Sequence, residues 1–205
     1  MHAESIYSII YHDIFDFPLT KEELVRWSSK LKIENSKLKI ENQGGYYFLT
    51  GRADLVTKRV NRKKIFVRKM AIARKAAKVL ELLPTIRMVA VTGALAMANA
   101  AEGTDIDLLL ITHPGTLWLT RLIVFGLLSI SGFKLRRFGD SNQKDKLCLN
   151  MWLTTGYLVW PVRDRNIYSA HEIGQIVPLV NKNKTYELFL SDNRWIKNYW
   201  PNIIA

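Results

Sequence analysis

Sulfhydryl chemistry is nearly absent from this chain of 205 residues, which has a single cysteine, Cys148. One thiol forms no disulfide within a chain and supports no cysteine-based zinc site, so both a disulfide scaffold and a zinc ribbon are excluded. Long apolar runs are lacking too. The most lipid-like stretch, Leu117 to Phe133, is interrupted by Arg121 and diluted by Ser129 and Ser131. Its uncharged part, Leu122 to Phe133, falls short of the roughly 20 residues that a membrane-spanning helix takes, and reads as a buried core helix. Met1 to Ile10 has neither the basic head nor the apolar body of a secretory signal. A soluble, cytoplasmic protein without a membrane span is expected. Several familiar signatures are missing as well: the P-loop pattern, the dinucleotide GxGxxG fingerprint and the nucleophile elbow. His171-Glu172 opens like a zincin helix, but Gln175 stands where the second histidine is needed.

Acidic residues are scarce in one place above all. None occurs between Asp54 and Glu81, while Lys and Arg recur from Lys58 to Lys78. The net charge is +12, which favours polyanionic partners such as nucleotides, nucleic acid or an anionic surface without choosing among them. The 48% hydrophobic and 11% aromatic fractions are those of a folded protein.

Along the chain, residues 1–52 read as a small helical unit. Ile6, Ile9, Ile10 and Ile14 have helical spacing, and Thr20 with Glu23 forms a capping box before Leu24 and Trp27. Gly44-Gly45 marks a turn, and Tyr46 to Leu49 a strand ending at Gly51. Helix, helix and a late aromatic strand resemble a winged-helix domain; a small packing or dimerisation module fits the same pattern. Within this unit LKIENSK, from Leu31, is followed by LKIENQG, from Leu38. Two copies sustain neither a coiled coil nor a repeat array, so 31–44 reads as an inserted surface segment. Residues 53–84 form a basic linker helix: Phe66, Met70, Ala73, Ala77 and Leu80 share its apolar side, and Lys64, Arg68, Lys75 and Lys78 lie opposite. That basic side is either plainly solvated or faces the phosphates of a nucleic acid.

Residues 85–205 read as a third region. Ile86 to Val91 is a strand, Gly93 to Glu102 is helix-like, and Asp105 to Thr112 is a second strand. Lys146 to Thr154 reads as a third strand, and the remainder as helices over 168–176 and 186–200. The informative passage is VAVTGALAMANAAEGTDIDLLLIT, Val89 to Thr112. Strand alternation puts Asp105 and Asp107 on one side, with Ile106 turned inward. Two carboxylates so placed repel each other unless a cation lies between them, and a hard ion such as Mg²⁺ suits oxygen ligands and nucleotide phosphates. A solvated strand start after the Gly103-Thr104 turn is the plainer alternative.

Strand, glycine turn, helix and a strand opening on Asp-x-Asp resemble the nucleotidyltransferase superfamily that includes DNA polymerase beta and the minimal nucleotidyltransferases. The resemblance implies an α+β fold, a nucleotidyltransferase-like mixed sheet flanked by helices, preceded by the winged-helix-like unit. It implies Mg²⁺ on Asp105 and Asp107, and a nucleoside triphosphate bound by the backbone at Gly93 and Ala94. The reaction implied is transfer of a nucleotidyl group to an acceptor. Alternatives are a non-catalytic nucleotide- or nucleic-acid-binding module, or a toxin–antitoxin component, since minimal nucleotidyltransferases occur in such systems. Two departures stand out. Ala94 replaces a serine or glycine, and Asn150 occupies the best match for the third catalytic carboxylate. Asparagine is no general base, so the transfer is expected to be impaired.

Overall fold

The computed structural model describes residues 3–29, 31 and 38–203. They fall into two compact units. The first comprises Met1–Lys63, Arg165–Gly174 and Arg194–Ala205, the second Lys64–Asp164 and Gln175–Asn193.

In the first unit, α1 (Ala3–Asp13) is followed by α2 (Lys21–Arg26). The capping box is present: Thr20 N–H donates to Glu23 Oε2 at 2.9 Å, and Glu23 N–H to Thr20 Oγ1 at 3.3 Å. Strands β1 (Ile40–Gln43) and β2 (Tyr46–Leu49) make an antiparallel hairpin across Gly44-Gly45, both with positive φ. The second repeat copy therefore supplies a strand, and its residues are largely exposed. Apart from Leu31, the first copy lies outside the described residues.

Two late segments complete this unit: α6 (Ile167–Gly174) and a 3₁₀ turn at Arg194–Asn198. The sequence reading assigned both to the region 85–205. They join the first unit because His171 and Trp200 are buried in its aromatic core. His171 stacks on Trp27 at 4.1 Å between ring centroids, and Trp200 meets Tyr11 and Trp27 edge-on. The long basic helix α3 (Asp54–Glu81) contributes its residues up to Lys63 to this unit and the rest to the second.

The second unit is built on a mixed four-stranded sheet in the order β5-β4-β3-β6. Strand β3 (Ile86–Val91) runs antiparallel to β4 (Ile106–Thr112) and to β6 (Val177–Asn181), while β4 and β5 (Leu147–Thr154) are parallel. The central strands are buried on both faces, which is why they read as continuous apolar runs without alternation. One face packs Val89, Val91, Leu108, Leu110 and Leu149 against Ala73, Ala77 and Leu80 of α3 and Val124 and Leu128 of α5 (Leu117–Ile130).

Three sequence expectations are corrected here. The helix expected over Gly93–Glu102 is the single turn α4 (Gly93–Ala96), which stops where Ala98 takes φ +55°. Strand β6 was not foreseen because Pro178 reads as a breaker. It is tolerated since β6 is an edge strand, bonded on one side only. The helix expected over 186–200 ends as α7 (Thr185–Asp192), because buried Asn193 turns its side chain to the backbone. Its carbonyl accepts from Trp160 N–H, and its amide donates to Leu158 O and Phe189 O. Among the described residues no helix is long and apolar enough to cross a membrane.

Candidate metal and nucleotide site

Asp105 precedes β4 by one residue and Asp107 lies on it, so both leave the same side of the sheet at the end of one strand. Across the parallel pairing, Asp107 stands in register with Cys148 of β5. Asp105, Asp107 and Cys148 each offer one donor atom within 4.8 Å of the others, a spacing that one cation can bridge.

The electrostatics of the cluster are lopsided. Arg136 Nη1 donates to Asp105 Oδ2 at 2.6 Å and lies 3.7 Å from Cys148 Sγ. Among the described residues Asp107 has no such cation of its own. Burial, then the neighbouring Asp105 charge, push its pKa above the ordinary carboxylate value, against a hydrogen bond from Cys148 and the more distant Arg136. Burial and the two aspartates push the Cys148 thiol up to about 11, so it stays protonated and donates to Asp107. Two carboxylates with one guanidinium on their rim leave an excess of negative charge that is compatible with a divalent cation.

Gly93 has a specific reason to be glycine. Its φ is +60°, and a Cβ there would stand 2.9 Å from Asp107 Oδ2. The turn after β3 therefore passes directly over the carboxylate, and any side chain would displace it. Ala94 beside it is exposed.

A charged clasp below the pair was missed from the sequence. Lys69 is fully buried and donates to Thr104 O at 2.6 Å and to Asp145 Oδ1 at 2.8 Å. Asp145 N–H donates to the same Thr104 carbonyl, and Ile106 N–H to Lys146 O. The clasp thus ties together the two chain segments that enter β4 and β5, and with them the positions of Asp105 and Cys148. Outside it, Arg68 makes two bonds to Glu102, at 3.1 and 3.0 Å, and one to Asp145. Arg68, with Lys144, holds the Glu102 carboxyl down to about 2. A signal was available: Lys69 falls three residues after Phe66 and four before Ala73, in line with the apolar stripe of α3.

The expected site residues are thus distributed as follows. Asp105, Asp107 and Gly93 come together. Asn150 is exposed, in the stretch of β5 where the register slips against β4, and it lines a neighbouring cleft. The residue registered with Asp107 is Cys148. On α3, Lys64, Lys75 and Lys78 are exposed with Arg68, but Arg68 is taken up by its carboxylate partners.

Comparison with known proteins adds little. No family model matches the chain, and no curated protein matches it. Among solved structures, one similar chain comes from a crystal structure of a toxin–antitoxin with AMP-PNP. It is 12% identical over 58% of this chain and 81% of its own, with a TM-score of 0.35. Another comes from a mutant of the toxin–antitoxin MntA–HpeT, 12% identical over 57% and 79%, with a TM-score of 0.34. Likeness at that level transfers neither activity nor partner.

Proposed function

We propose that the second unit is a nucleotidyltransferase-like domain that binds a nucleoside triphosphate with Mg²⁺ and transfers its nucleotidyl group to a hydroxyl acceptor. The observation that carries this reading is the carboxylate pair Asp105 and Asp107 beneath the positive-φ turn at Gly93. Asp105 and Asp107 would hold the ion, which when bound neutralises phosphate charge and polarises the phosphorus under attack. The glycine turn brings bare backbone to the edge of the site, where a triphosphate can lie close. Arg136 stands ready to exchange its Asp105 contact for a phosphate oxygen.

A binding module with weak or absent transfer is the second reading. It is favoured by Cys148, a protonated thiol in register with Asp107, and by the lack of a third carboxylate in the cluster among the described residues. Such a site positions a nucleotide but supplies no base for the acceptor hydroxyl. The first unit, with two helices and a hairpin, is read as a winged-helix-like companion.

Calorimetric titration tests the site. Triphosphate should bind the wild type in Mg²⁺ and not in chelator, and Asp105→Ala with Asp107→Ala should abolish it. Equal binding by that double variant would remove the site. Transfer of a radiolabelled nucleotide then separates the two readings.

A further inference from the structure

Beside the carboxylate pair a cleft of about 660 Å³ runs along α5, lined by Arg121, Arg136, Arg137, Phe138, Cys148 and Asn150 among others. A second hollow of about 490 Å³ shares Phe125, Arg136, Arg137 and Asp140 with it and adds Lys134 and Lys146. Sharing these residues, the two adjoin as one trough.

The charges in the trough are unevenly committed. Lys146 pairs with Asp140, and Arg136 with Asp105. Arg121 and Arg137 form no ion pair among the described residues. Arg121 instead lies 5.8 Å from the ring centroids of Trp118, Phe125 and Trp152, a flat cation set among aromatic faces. Phe138 is wholly exposed at 109% of its reference area, and it follows Arg137 directly. A bare phenyl ring next to a guanidinium that forms no ion pair, although its charge acts on Asp140, offers a stacking platform and a phosphate contact in one cleft, the combination that holds unpaired bases. Duplex bases have their faces covered and gain nothing from such a ring. Contrast the exposed side of α3, where Arg68 is neutralised by Glu102 and Asp145.

We infer that this trough binds a single-stranded polynucleotide, with a base stacked on Phe138 and phosphates against Arg121 and Arg137, so that the strand's end lies beside Asp105. Its role as acceptor strand rests on the transfer reading above; its binding does not. In the transfer, the terminal hydroxyl oxygen bonds to the α-phosphorus of the triphosphate and the bond to the pyrophosphate oxygen breaks. Pyrophosphate leaves with the electron pair, and the hydroxyl proton passes to solvent.

The test is fluorescence anisotropy of a short labelled oligonucleotide, as RNA and as DNA, in chelator and without triphosphate. Single strands should bind better than the matching duplex, and binding of either RNA or DNA supports the inference and says which polynucleotide the trough takes. Affinity should fall with salt at a log–log slope of about −1.4 for two phosphate contacts, and Arg137→Gln should reduce that slope by about 0.7. Phe138→Ala should weaken binding about 10-fold, the scale of one lost stacking contact. Lys75→Gln with Lys78→Gln on α3 should change nothing. Unchanged affinity in both Phe138→Ala and Arg137→Gln would overturn the inference, as would preference for duplex or for anionic vesicles. If Mg²⁺–triphosphate binding is absent while strand binding depends on Phe138 and Arg137, the transfer reading fails and the strand site stands; the converse result sinks the strand site alone.

Discussion

Mild acid should destabilise the first unit through two histidines that burial keeps neutral. His12 and His171 are buried with their Nε2 atoms 3.1 Å apart. Ser8 O accepts from Nδ1 of His12, which leaves His12 Nε2 bare to accept from the Nε2–H of His171. A proton added to His12 goes on Nε2 and sets two N–H groups against each other. No acid relieves them: the charged groups that act on the pair are Arg59 on His12 and Arg26 on His171, and both work against protonation. Burial, the largest cause, lowers His12 to about 4 and His171 well below its ordinary value. Since the unfolded chain protonates near 6.5, it binds more protons than the folded one between pH 6.5 and about 4. Stability therefore falls as pH drops through that window and loses nothing further from His12 below it. For His12 alone the loss is about 3 kcal/mol, at roughly 1.4 kcal/mol per pH unit; His171 adds to it. The raised carboxylates Asp13 and Asp107 act in the opposite sense, gaining relative stability as they protonate. Denaturant titrations by tryptophan fluorescence at pH 7.5, 6.5, 5.5 and 4.5 should show the decline, and His12→Gln should flatten it. An equal slope in wild type and variant would refute the argument.

Lys69→Met should cost about 2 kcal/mol in the same denaturant titration, because it leaves Asp145 with only the exposed Arg68 as cation and takes one of two donors from the Thr104 carbonyl; a loss under about 1 kcal/mol would mean that the clasp is not a tether. Gly93→Ala should cost at least about 1 kcal/mol for a side chain at φ +60° and weaken Mg²⁺ binding by displacing Asp107, and calorimetry giving wild-type affinity would count against the close approach. Cys148 should resist iodoacetamide at pH 7.5 in the folded protein and react promptly in urea, since a buried thiol near 11 holds almost no thiolate; prompt labelling of the native chain, read by mass spectrometry, would contradict its setting.

What the sequence made legible was what depends on local pattern. The run Ile86–Val91 is strand β3 to the residue, and Asp-Ile-Asp before an apolar stretch placed both carboxylates at a strand's start. Apart from the helix cut short at Ala98, the failures share one cause: each depended on a partner distant in sequence. Strand β6 exists because β3 lends it hydrogen bonds, which no property of Val-Pro-Leu-Val announces. Cys148 faces Asp107, while Asn150 is exposed, because the register of β5 slips by one residue between Asp107 and Leu109, and alternation counted along one strand is blind to its neighbour. Lys69 looked like one more member of a basic run because its worth lies in Thr104 and Asp145.

The division of the chain carries a consequence for its synthesis. The parts of the second unit are all made once Asn193 is added, whereas the first unit waits for α6 until Gly174 and for Trp200 until after Asn193. Until α6 is made Trp27 and His12 have no His171, and until Trp200 is made Tyr11 and Trp27 lack their edge-on ring. Contacts of such wide sequence separation form slowly, and apolar surface waiting for them is a target for chaperones and for aggregation. A ribosome stalled between Asn193 and Trp200 would therefore hold a chain in which every part of the second unit has been made while the first unit still lacks Trp200.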